Sequence, residues 1–171
     1  MSYLDSFLTE TLEAWRDVRE GIVEEVENIP AGEFDFRPTP ETKSVRELIQ
    51  HILEVSMLMT EELTRADTDL KRRPWPDLLA QYAQDAYRAT TKEDLIGLLE
   101  SQLSEAERRF SEVGELALMQ YLERFDGKPG TKLQWLHHGI AQEMYHRGQL
   151  TLYARLLGLT PALTQRIQGS D

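Results

Sequence analysis

Apolar residues recur at three- and four-residue steps in four stretches of the chain, each bounded by helix start or stop signals. Over residues 4–27, Leu4, Leu8, Leu12, Trp15, Val18, Ile22 and Val26 form one stripe with acidic residues between them. Asn28, Pro30 and Gly32 close this first helix. The second, 44–65, opens on Ser44-Val45-Arg46-Glu47, a capping-box pattern in which Ser44 and Glu47 satisfy backbone donors reciprocally. Leu48, Ile49, Ile52, Val55, Met59 and Leu63 form its apolar face. The third, 92–113, follows Thr91 and carries Leu95, Leu99, Leu103, Ala106, Phe110 and Val113. The fourth, 132–157, follows Thr131 with Gln134 three residues on, and stops at Gly158 and Pro161. Each stripe has to be buried against another element, so the pattern predicts an all-α four-helix bundle.

The connections carry a different signal. EFDFRPTPETK holds two prolines and reads as ordered but irregular, while Pro74 and Pro76 limit 66–90 to a short helix within DLLAQYAQDAYRA. Trp75, between those prolines, is expected to cap one end of the bundle. Asp126-Gly127 and Pro129-Gly130 are turn signals for an extended or hairpin-like excursion before the last helix. Glu105 and Arg109 are spaced for a surface ion pair. No repeat or linker divides the chain, so residues 1–171 are expected to form a single domain.

Composition narrows the function classes. The net charge of −11, from 30 acidic and 19 basic residues, offers no basic footprint for nucleic acid. No apolar run approaches the roughly 20 residues needed to span a bilayer. The start, MSYLDSFLTETLEAW, lacks a basic region followed by an apolar core, so a signal peptide is not expected and a soluble cytoplasmic protein is. With no cysteine, disulfides, thiolate metal ligands and a cysteine nucleophile are ruled out.

The candidate chemistry sits on the fourth helix, which holds His137, His138 and His146 of the four histidines. On a 3.6-residue period, His138, Gln142 and His146 share a face, with Gln149 close to the same line. His138 and His146 are about 12 Å apart along the axis, too far to share one ion unaided. Gln142 and His146, one turn apart, can share one, and His51 on the second helix is the imidazole left to complete the set. The same three side chains can instead form a metal-free, hydrogen-bonded polar cluster. Glu143, rotated about 100° from Gln142, is placed to accept from a ligand histidine or to act as a base rather than to ligate. Gly148, mid-helix, suggests close approach of a neighbouring helix, braced by Arg147 and Gln149.

GIAQEMYHRGQLTLYARLLG resembles the last-helix signature of the DinB-like superfamily, and RPTPETKSVRELIQHILEVS resembles its second-helix signature, in the expected order and spacing. The resemblance covers most of the chain and implies the bundle fold with a divalent ion, commonly zinc or nickel, held by three histidines. His51 and His146 match two of those positions; the third is Gln142, a weaker and harder ligand than imidazole. His138 is the candidate substitute. What the resemblance implies for activity is a metal-dependent transferase acting on a small molecule with an external low-molecular-weight thiol. Alternatives are a metal-dependent hydrolase with Glu143 as base, or a non-catalytic stress-associated bundle. It also implies a homodimer.

Overall fold

Ser6 accepts a hydrogen bond from the Thr9 amide and so opens the first helix, α1 (Phe7–Asn28), whose Trp15, Val18, Ile22 and Val26 are buried. The computed structural model describes residues 6–169 apart from Thr68 and Phe125, so the expected start at Leu4 lies outside the described residues. The Ser44–Glu47 capping box is formed and starts α2 (Val45–Leu63), with all six residues of the expected stripe buried. Two short helices follow, α3 (Trp75–Tyr82) and α4 (Gln84–Arg88). Next come α5 (Lys92–Leu118), the antiparallel pair β1 (Tyr121–Glu123) and β2 (Pro129–Thr131), α6 (Lys132–Leu156) and α7 (Ala162–Gln168). Gly114, at φ 74°, interrupts α5 close to its expected end. α7 lies beyond Gly158 and Pro161, where the sequence pattern predicts no further helix.

Four long helices form the bundle. α1 and α2 each pack against both α5 and α6, so the first two helices face each other across a diagonal. The irregular segment 29–44 supplies the length that this crossing needs. It is an ordered segment: the Val45 and Arg46 amides donate to the Phe36 and Phe34 carbonyls (3.0 and 2.9 Å), and Phe34 is buried. The Phe36 ring meets Tyr153 of α6 edge to face. Trp15 and Phe110 make a similar contact between α1 and α5 in the core, their centroids 6.0 Å apart.

Some expected contacts are replaced. Arg109 reaches across to Glu61 and Thr64 of α2, and Glu105 pairs with Arg108, so the Glu105–Arg109 surface pair does not form. Gly148 has open space around its α-carbon, and the close helix approaches fall at other glycines. Met59 presses on Gly139, and the Arg147 guanidinium lies over Gly21, where a side chain would collide with it.

Candidate metal centre

α2 presents His51, and α6 presents Gln142 and His146, on facing surfaces of the bundle. The His51 and His146 rings meet edge to face with centroids 5.0 Å apart. The Gln142 side-chain nitrogen lies 3.2 Å from His51 Nε2 and 3.5 Å from His146 Nε2. Residues 91 apart in sequence thus converge on one point.

Each imidazole is held from behind. His51 Nδ1 donates to Glu54 Oε1 at 2.5 Å, and His146 Nδ1 donates to Gln149 Oε1 at 2.7 Å. Both acceptors lie three residues after their histidine, the spacing that brings side chains together on a helix face. With Nδ1 protonated, each neutral ring turns an Nε2 lone pair toward the other helix. Both lone pairs therefore face the NH2 of the Gln142 amide, which donates to each. Glu54 also accepts from the Tyr87 hydroxyl of α4.

The electrostatics favour a neutral His146 and a charged Glu54. Burial lowers the His146 pKa, and the neighbouring His51 adds to the effect. Burial works against the Glu54 carboxylate, but the bonds from His51 and Tyr87 outweigh it and hold its pKa below the ordinary value. Burial and the Glu54 bond push the Tyr87 phenol up to about 12.

Glu143 faces a different part of the bundle. Its carboxylate accepts from Arg19 Nε (2.9 Å), from Arg19 Nη2 and from Trp15 Nε1 (2.9 Å), with both charged side chains buried. Arg19 further donates to the Leu99 carbonyl, Gln102 and Ser56, which completes its donor set. With its oxygens held this way, Glu143 neither orients a histidine nor stands free as a base, contrary to the sequence expectation. His138 is also elsewhere: it is exposed, its ring lies tilted against Trp135 with centroids 5.2 Å apart, and its Nε2 lies 3.3 Å from Arg124 Nη1. Sequence reading missed Glu54 and Arg19. The signals were present, as His51-x-x-Glu54 repeats the spacing of His146-x-x-Gln149, and Arg19 falls within the apolar stripe of α1.

A family model described as the DinB family matches residues 2–168. The chain belongs to the DinB family. No curated protein sequence matches it at a significant level. Among solved structures it is similar to a DinB-like protein, YjoA, of Bacillus subtilis, at 20% identity and TM-score 0.68 over 88% of this chain and 93% of that one. It is similar to YfiT of Bacillus subtilis, described as a probable metal-dependent hydrolase with an unusual four-helix bundle topology. That match has 15% identity and TM-score 0.70, over 93% of this chain and 92% of that one. A mycothiol-dependent maleylpyruvate isomerase matches at 16% identity and TM-score 0.67, over 88% of this chain but 63% of that one. At these identities the likeness shows the shared fold.

The donor set of this DinB-family protein fits a divalent ion. His51 and His146 each turn an Nε2 toward Gln142 between the two helices, and imidazole nitrogen is a donor that suits a divalent transition metal. Both Nδ1 protons are engaged by acceptors, as in metal-bound imidazoles. The third member is an amide whose oxygen, its ion-binding atom, is exchanged with the NH2 by a half-turn of the group. Among the described residues no group of three or more His, Cys, Asp or Glu is arranged to hold a metal.

Proposed function

We propose that this protein binds a divalent metal ion, zinc or nickel, through His51, His146 and Gln142, and uses it in an S-transferase reaction between an external thiol and a small molecule. The observation that carries this reading is the convergence of two Nε2 lone pairs, each fixed by an Nδ1 hydrogen bond to Glu54 or Gln149. A bound ion supplies Lewis acidity that lowers the pKa of a coordinated thiol. His51 and His146 orient and retain the ion. Glu54 makes His51 a more basic ligand and Gln149 does the same for His146, more weakly because it is uncharged. The absence of cysteine means that the thiol comes from outside the chain.

The hydrolase reading loses the base assigned to it, because Arg19 and Trp15 hold Glu143. The thiol reading needs no protein base at that position and is preferred. The test is metal analysis of protein purified without an affinity tag, before and after chelation, followed by competition with a chromophoric chelator. About one zinc or nickel ion per chain is expected, lost in His51→Ala and His146→Ala. Unchanged affinity in both variants would refute the assignment.

A further inference from the structure

Acidic residues are spread unevenly over the four long helices. Seven lie in α1, seven in α5 and four in α2, but α6 holds only Glu143, which is buried against Arg19. The outer face of α6 carries Ala141, Met144, Tyr145, Gly148, Leu152 and Leu156, all exposed. The four large side chains among them are 49–65% exposed. Among the described residues, no other long helix exposes more than one large apolar side chain. Apolar stripes of this kind mark interaction sites. A chain of net charge −11 repels its own copy over most of its surface, and on this face that repulsion is least.

The order of residues along the stripe is self-complementary. About the midpoint between Gly148 and Gln149, Tyr145 mirrors Leu152 and Ala141 mirrors Leu156. Two copies packed antiparallel about a two-fold axis at that midpoint set Tyr145 against the partner's Leu152, and the small Ala141 against the partner's Leu156. Gly148 adds no side chain at the centre, and the space where its Cβ would stand is open. From residue 138 to 156 the face runs about 27 Å. Its apolar centre and polar rim together suit the roughly 800 Å² per partner of a standard interface.

This face adjoins the candidate metal centre. The Tyr145 ring meets the His146 ring edge to face at 5.1 Å, and Gln149, which accepts from His146 Nδ1, lies at the margin of the stripe. We propose that the outer face of α6 is the interface between two copies of this chain, packed antiparallel about Gly148, with each copy's Leu152 covering the Tyr145 ring beside the other's His146. The partner thereby closes the outer side of the site to water. The pairing does not depend on a bound metal.

The experiment combines sedimentation velocity at micromolar concentration with oxidative cross-linking. Wild type should sediment at twice the 19.8 kDa of one chain. Leu152→Glu, which buries an unpaired carboxylate in the interface, should fall to the single-chain mass with its helical circular dichroism unchanged. Tyr145→Lys should do the same. The double variant Tyr145→Lys/Leu152→Glu should recover the dimer, because opposite charges then face each other across the two-fold axis. The chain has no cysteine, so Gly148→Cys introduces a single thiol. It should form a disulfide-linked pair at least tenfold faster than Ser104→Cys, on the exposed side of α5. A wild type of single-chain mass would reject the second copy and leave the face to another kind of partner. A dimer that survives both Leu152→Glu and Tyr145→Lys, or equal cross-linking of the two cysteine variants, would place the interface elsewhere and overturn the proposal. Failure of the double variant to recover would overturn the antiparallel pairing.

Discussion

The His51 ring on α2 and the His146 ring on α6 meet edge to face at 5.0 Å, with the Gln142 amide donating to both Nε2 atoms. In this arrangement the amide satisfies the two lone pairs that an ion would otherwise take. Metal binding therefore has to displace two hydrogen bonds and use a weak oxygen ligand. Gln142→His removes that competition and adds a third imidazole. Zinc affinity is expected to rise at least tenfold, or ~1.4 kcal/mol, read by chelator competition. Circular dichroism of His146→Ala should show the helices intact while metal binding is lost.

Glu54 fixes the tautomer of His51, so Glu54→Ala should weaken zinc binding by roughly 10- to 100-fold. Tyr87→Phe keeps the carboxylate and should have a smaller effect. Equal affinities for wild type and Glu54→Ala would show that the carboxylate does not tune the ligand.

The Tyr87 phenol provides a pH signature. Its pKa is pushed up to about 12 from an ordinary 10, so between those values the folded chain holds a proton that the unfolded chain has lost. The stabilisation from the Tyr87–Glu54 bond is thus complete below about pH 10 and disappears as pH rises toward about 12. Ultraviolet titration should find a late-ionising tyrosine that is missing in Tyr87→Phe.

Arg19 and Glu143 form a buried ion pair, so removing one partner leaves an uncompensated charge in the core. Glu143→Leu and Arg19→Met should each cost about 3–5 kcal/mol in urea denaturation, and the double variant should cost much less than the two together. Additive losses would mean that the two groups are not energetically coupled.

Gly148 lies in a helix interior with free space around it and no positive φ, so Gly148→Ala should stabilise the protein by about 0.5–1 kcal/mol. Gly139→Ala should instead destabilise by about 1–3 kcal/mol, because the new methyl group meets the buried Met59 side chain. Thermal melts of both variants give the comparison directly.

The helices themselves were legible in the chain. Ser44 and Glu47, the stripe from Leu48 to Leu63, and the stop at Gly158 depend on residues within a turn or two of one another, and helical periodicity converts that spacing into faces. The same local rule places Gln142 one turn from His146, and it gives both Glu54 and Gln149 the spacing to reach their histidines.

Contacts between helices had no such local code. The sequence spacing that suggested Glu105 for Arg109 was overridden when packing brought Glu61 closer, and Gly148 kept no neighbour because the close approaches fell at Gly21 and Gly139. Glu143 adjoins Gln142 in the chain, yet a 100° turn of the helix points it at Arg19 instead of the histidines. The sequence by itself determined which residues line each helix face, because that follows from the rotation per residue. Only the tertiary structure decided which faces meet, because the diagonal placement of α1 and α2 arises from burying all four stripes at once, and that choice puts His51 opposite His146.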